Sequence, residues 1–249
     1  MTALALYNKP SPDFAAKVAR SIGLLRETAA THPKLTQASS LGAEDIVVTH
    51  LIHLAGIPSG IFVLDTGKLH TETLALIGQI EARYTRSVEV YRPKNESVLK
   101  FVRHHGEKAM YESIDLRKQC CDIRKMEPLA RALAGHDSWI TGLRREQSNA
   151  RAEVAEVVQE PGRVKISPLV DWTWGDVWHF IALHKLDYNE LHDQFFPSIG
   201  CAPCTRAISV GEDFRAGRWW WEQESAKECG LHVQPAAEPL VSSLERNPA

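Results

Sequence analysis

Five cysteines carry the clearest chemical signal in this 249-residue sequence, and their spacing divides them four to one. Cys120 and Cys121 are adjacent, Cys201 and Cys204 have two residues between them, and Cys229 stands alone. An odd number in this pattern is not a disulfide framework, and it points to metal binding or thiol redox chemistry. One Cys-Cys pair and one Cys-x-x-Cys pair together supply four soft thiolates, enough for a tetrahedral zinc or a [4Fe–4S] cluster. Two adjacent residues have difficulty aiming both sulfurs at one small ion, whereas a cubane offers each its own iron, which favours iron. Structural zinc stays open at this point. So does a pair of redox disulfides, although no thioredoxin-like βαβ context surrounds Cys201-Ala202-Pro203-Cys204.

Cys229 lies in Lys227-Glu228-Cys229-Gly230-Leu231-His232, a polar stretch that does not read as core. Lys227 and His232 would lower its pKa and raise the thiolate fraction that a nucleophile needs; an incidental surface cysteine is the alternative. Basic residues gather beside both cysteine pairs, at Arg124-Lys125 and at Arg215 and Arg218. They serve either to offset the negative charge of a fourfold thiolate group or to bind an anionic substrate. Arg144-Arg145 after Thr141-Gly142 is a further basic turn, with plain solvation as its bland reading. Ser39-Ser40-Leu41-Gly42-Ala43-Glu44-Asp45 puts small hydroxyl residues and a glycine ahead of a helix start. Such a turn serves a phosphate or sulfate oxygen, or simply caps the helix; lacking Gly-Lys-Ser/Thr, it is not a Walker loop. Leu64-Asp65-Thr66-Gly67 is a second strand-ending turn of the same ambiguity. His50 and His53 fall inside an apolar helical run and read as boundary residues, and Trp219-Trp220-Trp221 reads as packing before it reads as a base-stacking surface.

The elements that must position these residues alternate strand and helix. Helical spacing of Phe14, Val18, Ile22 and Leu25 predicts a first helix. Leu35 to Ala38, the serine turn and Ile46 to Leu54 predict a strand, a turn and a helix, and Gly60 to Leu64 followed by Thr71 to Arg83 repeats the plan. A third strand is expected at Val88 to Tyr91, a helix across Lys118 to Ala134 despite Pro128, and a strand at Trp139 to Thr141. Val154 to Val158 and Val164 to Ile166 form a hairpin around Pro161-Gly162, and Thr173 with Asp176 has the capping-box form. The alternation implies an α/β fold with a parallel sheet flanked by helices, whose ligands bind beyond the carboxyl ends of the strands. Residues 1–210 read as one domain, and 211–249 as a mobile C-terminal tail carrying Cys229.

Composition narrows the classes. Apolar residues make up 44% of the chain, enough for a sizeable core, while 29 basic and 31 acidic residues nearly cancel. No whole-molecule field argues for nucleic acid or an anionic membrane, so any anion site must be local. No apolar run approaches a membrane span and no secretory leader opens the chain, which predicts a cytoplasmic protein; self-association into a homo-oligomer is the default expectation.

Taken in order, these motifs resemble the assimilatory adenosine 5′-phosphosulfate reductases, within the wider family that includes 3′-phosphoadenosine-5′-phosphosulfate reductases. The resemblance runs from about Thr36 to His232. It rests on the serine turn, Leu64-Asp65-Thr66-Gly67, Cys120-Cys121-Asp122-Ile123-Arg124-Lys125, Thr141 to Ser148, Gly200 to Arg206, Arg215 to Trp221 and Glu228 to His232. It implies an adenine-nucleotide α-hydrolase-like fold of PP-loop type and a [4Fe–4S] cluster on Cys120, Cys121, Cys201 and Cys204. It also implies that Ser39, Ser40, Gly42, Asp45, Leu64 and Gly67 help hold the nucleotide. Lys125, Arg144, Arg215 and Arg218 would face the phosphosulfate, with Cys229 and the neighbouring His232 at the reacting sulfur. Both cysteine pairs being present, the resemblance favours the unphosphorylated substrate, reduced to sulfite and AMP, with thioredoxin or glutaredoxin supplying electrons. Rival readings are the 3′-phosphorylated substrate, an ATP pyrophosphatase or sulfurtransferase of the same superfamily, and a nucleotide-binding redox sensor without turnover.

Overall fold

The computed structural model describes residues 2–209 and 211–223. The short helix α1 (Ala3–Tyr7) and the long α2 (Phe14–Thr31) precede β1 (Leu35–Ser39), α3 (Ala43–Ala55), β2 (Gly60–Leu64), α4 (Thr71–Tyr84) and β3 (Glu89–Tyr91). Next come α5 (Asn95–His105), α6 (Ile114–Cys121), a π-helical turn at Asp122–Met126 and α7 (Glu127–Ala132). The chain then forms β4 (Ser138–Ile140), the hairpin β5 (Val157–Glu160) and β6 (Arg163–Ile166), and α8 (Trp174–His184).

Six strands form one sheet in the order β3-β2-β1-β4-β6-β5. All neighbours are parallel except β5, which runs antiparallel to β6 at the edge. From β1 the chain steps outward through β2 to β3, then returns to place β4 on the other side of β1. The crossovers therefore diverge between β1 and β4, which opens a crevice at their carboxyl ends.

One face of the sheet carries the larger core. There Leu51, Ile52, Val63, Ile140, Trp178 and Phe180 pack with almost no exposure. Helix α3 is buried nearly all round, between the sheet and α2 and α8, with Asp45, Thr49 and His50 among its buried residues. It ends at Gly56 in a left-handed turn with φ 66°. On the opposite face α7 brings Leu129 and Leu133 against Phe62 and Trp139.

The long helix expected across Lys118 to Ala134 is present as α6, the π turn and α7, with Pro128 at the second position of α7 directly after the π turn. The π turn carries Arg124 and Lys125, and such local widening is frequent at functional sites. The capping box at Thr173 is formed, but its Asp176 also accepts from the Ser11 backbone and hydroxyl and from Lys17, at 2.7 to 3.0 Å. Two helices are not anticipated by the sequence pattern. α1 is too short to display a period, and α5 buries only Phe101.

Residues 211–223 do not stand apart from the body. Thr205 and Arg218 form a bridge, the Arg206 N–H donates to the Gly217 carbonyl, and the Trp219 N–H donates to the Cys204 carbonyl at 3.1 Å. The expected tail is thus described only to Gln223. Among the described residues, no helix is long and apolar enough to cross a membrane.

Candidate active site

Strand β1 ends in the serine turn, and the turn is held by Asp45 from the first turn of α3. The Ser40 N–H and hydroxyl both donate to the Asp45 carboxylate at 2.6 Å, and the Gly142 N–H beyond β4 donates to it at 3.0 Å. Leu41 is buried with φ 62°, a left-handed conformation that side chains rarely adopt and that ligand-holding turns often store. The closeness at Gly142 requires glycine, since a Cβ there would lie 2.6 Å from Asp45 Oδ1. Burial pushes the Asp45 pKa up to about 6 against the opposing effect of the Ser40 and Gly142 donors, with Glu44 adding to the rise.

These turns line a cleft at the carboxyl ends of β1, β2 and β4. Ser39, Ser40, Gly42, Asp45, Leu64, Lys125, Arg215 and Arg218 all contribute to its wall, as does Cys201. The π turn, the β1 turn and the segment after Cys204 therefore meet at one place. Gly67 makes the turn behind the wall rather than the wall itself: its φ is 70°, and its N–H donates to Asp65 at 2.9 Å.

Arg144 stands elsewhere. Its guanidinium is 1% exposed and binds Glu44 through Nη2 at 2.9 Å and Nε at 3.1 Å, with the Trp174 ring beneath it. Glu44 also accepts from Gln147 at 2.9 Å; burial acts to raise its pKa, but Arg144 and Gln147 hold it below the usual carboxylate range. The structure places Arg144 behind Glu44 as a support for the wall, and Glu44 and Gln147 reach the cleft.

The four paired cysteines come together at one edge of the cleft. Cys120 and Cys121 end α6, and Cys201 and Cys204 flank a 3₁₀ turn. The turn is tied to the β2 loop by the Ala202 N–H donating to the Lys68 carbonyl at 2.7 Å and by Thr66 Oγ1 lying 3.1 Å from Cys201 Sγ. Cys121, Cys201 and Cys204 pack in one group with Met110 and Trp219, and Cys120 lies close enough to feel the charge of Cys201. Burial, with Cys201 and Cys120 adding, pushes the Cys204 thiol up to about 12; burial also raises Cys120, although Arg124 opposes it. None of the four is in a disulfide. Among the described residues, no three His, Cys, Asp or Glu side chains converge as they would on a single ion. Cys229 and His232, the expected nucleophile and its neighbour, lie outside the described residues.

Sequence reasoning misses several lining residues. His192 is 5% exposed, its Nδ1 lies 2.8 Å from the Phe196 carbonyl, and its buried Nε2 has no hydrogen-bond partner among the described residues. Burial pushes its pKa down to about 4, so the ring stays neutral at pH 7 with Nε2 an acceptor. Phe214 and Ile199 also line the cleft. Nothing in the local pattern of Glu190–Gln194, a single 3₁₀ turn, marks His192.

The phosphoadenosine phosphosulfate reductase domain family matches residues 34–207. An adenosine 5′-phosphosulfate reductase of Burkholderia cepacia is 51% identical over 241 residues, covering 96% of each chain. The chain belongs to the phosphoadenosine phosphosulfate reductase family. Among solved structures, the phosphoadenylyl-sulfate reductase of Candida auris, in a phosphate complex, is similar with a TM-score of 0.63 and 28% identity. That match covers 76% of this chain and 90% of the other. The FMN adenylyltransferase of Candida glabrata, 14% identical with a TM-score of 0.53, covers 90% of this chain and 83% of its own and shares the fold alone. This reductase-family chain therefore has the α/β fold of PP-loop type, with its cleft where that architecture binds ligands.

Proposed function

We propose that the chain reduces adenosine 5′-phosphosulfate to sulfite and AMP. The observation that carries this reading is the meeting of Lys125, Arg215 and Arg218 on the cleft wall beside Cys201, where a nucleotide's anionic end would face a thiol-rich edge. The 51% identity to a protein named for that substrate supports the choice.

In the proposed reaction the Cys229 thiolate attacks the sulfur of the phosphosulfate. The bond from that sulfur to the bridging oxygen breaks, AMP leaves with the electron pair, and an S-sulfocysteine remains on the enzyme. A dithiol such as thioredoxin or glutaredoxin then attacks the Cys229 sulfur, releasing sulfite, and its second thiol resolves the mixed disulfide. An anionic nucleophile meets an anionic sulfonyl group, so cations must offset both it and the departing AMP; Lys125, Arg215 and Arg218, all on the cleft wall, would supply them. Ser39, Ser40 and Asp45 shape the turn at the nucleotide end.

The donor set suits a [4Fe–4S] cluster. Cys120, Cys121, Cys201 and Cys204 are gathered and unoxidised, and burial raises the pKa of Cys120 and Cys204, so a strongly electropositive centre is what would draw thiolates from them. A cubane gives each sulfur its own iron and does not ask four to converge on one point. Arg117 and Arg218 beside Cys204 would compensate its negative charge. When bound, the cluster would supply structural linkage and a fixed charge beside the cleft.

The test is to purify the protein without oxygen, add the substrate without reductant, and record intact mass and visible spectrum. A sulfonate adduct on Cys229 with iron–sulfur absorption is the expected result. A protein left unmodified by adenosine 5′-phosphosulfate but sulfonated by its 3′-phosphorylated form would move the assignment to the other substrate of the family. No adduct from either would end the proposal.

A further inference from the structure

Arg117, on α6 three residues before Cys120, is 1% exposed and touches three groups at once. Its Nε and Nη2 grip the Glu222 carboxylate at 2.9 and 2.7 Å, and Glu222 is itself 3% exposed at the side chain. Its guanidinium lies 4.7 Å from the Trp219 ring centre. It also adjoins the Cys121 sulfur, which with Glu222 outweighs burial and raises its pKa. The Trp219 ring carries a second cation, Arg218, at 4.6 Å, and Arg218 is a wall residue of the cleft. A row of direct contacts thus runs from the cysteine-bearing helix through Arg117 and Trp219 to the cleft, and branches to Glu222.

Glu222 is the last side chain on this path among the described residues. Cys229 comes seven residues later, so its sulfur lies within a reach of at most about 25 Å of this anchor. A buried two-pronged ion pair is a costly way to gain stability alone, since apolar side chains of similar volume commonly do as well. Its distinctive property is geometric: the planar fork fixes direction as well as distance. We propose that Arg117 and Glu222 are positioning residues, a clasp by which the helix carrying Cys120 and Cys121 sets the origin of the Cys229-bearing segment and steadies Arg218 at the cleft. This rests on the reading of Cys229 as the nucleophile.

The test compares the wild type with E222Q and with an R117M/E222L double variant, all prepared with iron. The double variant removes both charges while keeping the volume, so it guards against simple misfolding in E222Q. Four readouts are needed: iron per chain, affinity for AMP, kcat and KM with single-turnover adduct formation, and amide hydrogen exchange across residues 219–223. E222Q, which leaves the Arg117 charge beside the cysteines in place, should hold iron and AMP within about twofold of wild type, and both variants should lose about tenfold in kcat and in the single-turnover rate with KM little changed. Exchange across 219–223 should quicken in both. Wild-type turnover in E222Q would overturn the clasp, and so would an iron content of E222Q falling in step with its kcat, which is what a merely structural role gives. If the wild type itself forms no adduct at Cys229, the functional reading fails and the inference falls with it; an adduct in wild type with no kinetic defect in the variants sinks the inference alone.

Discussion

The Arg144 guanidinium closes on the Glu44 carboxylate through two nitrogens, one layer behind the cleft that Glu44 lines. Arg144 therefore supports the wall through Glu44. Arg144→Met would leave the 12% exposed Glu44 carboxylate without its main partner. Loss of one member of a buried pair costs about 3 to 5 kcal/mol. The variant should lose that much in urea unfolding at pH 7, and an unfolding midpoint equal to wild type would show that Gln147 and water suffice for Glu44.

Lys125 should behave in the opposite way. It sits on the π turn, half-buried, and lines the cleft wall. A charge-assisted hydrogen bond contributes roughly 1.5 to 3 kcal/mol, so Lys125→Met should weaken substrate binding by about tenfold to a hundredfold. The melting temperature should hardly move. Calorimetric titration with AMP and with the phosphosulfate separates the two: a loss confined to the phosphosulfate would place Lys125 at its sulfonate end.

At Gly200 the requirement is space. An added Cβ would overlap the Arg218 guanidinium, which is buried, stacked on Trp219 and bonded to the Ile199 carbonyl, so the cation must shift. Gly200→Ala should accordingly cost about 1 to 3 kcal/mol of stability and lower kcat/KM by about tenfold, through the shifted cation. Normal kinetics in this variant would mean that Arg218 acts on the substrate from some other position.

The parts of the fold legible in the sequence are those governed by local physics. The strand–helix alternation from Leu35 to Tyr91 is present as read because each element carries its own period and a turn residue at its end. The hairpin around Pro161-Gly162 forms for the same reason. Cysteine spacing announces the four-thiol edge, since two short-range pairs need only one long-range encounter. The ion pairs are not legible this way: Glu44 meets Arg144 a hundred residues later and Arg117 meets Glu222 across a similar gap, and no periodicity encodes either. The resemblance assigns Arg144 to the phosphosulfate, whereas its contact with Glu44 depends on which way the loop after β4 turns, which no local pattern encodes. His192 escapes notice because its value lies in burial and an unpartnered nitrogen, both properties of the assembled cleft.

Acid stability offers a final check, centred on His50. The ring is buried between α3, α4 and α8, with Nδ1 3.0 Å from the Tyr84 hydroxyl and its face against Phe180 and His184. Burial pushes its pKa down to about 4, and the nearby charges of His184, Arg83 and His53 act in the same direction. The unfolded chain takes up its proton near pH 6.5, whereas the folded chain resists until about pH 4. Above pH 6.5 the ring is neutral in both states and costs nothing. As pH falls from 6.5 toward 4 the unfolded state alone is stabilised by the proton, and by pH 5 this one site should subtract about 2 kcal/mol. Asp45, raised to about 6, acts with the opposite sign over part of the same range, so the wild-type profile alone is ambiguous. Comparing wild type with His50→Asn removes that ambiguity because Asp45 is common to both. Between pH 7 and pH 5 the variant should lose about 2 kcal/mol less than wild type in denaturant unfolding. Parallel profiles would mean that the His50 site opens to water and that burial does not hold this ring neutral.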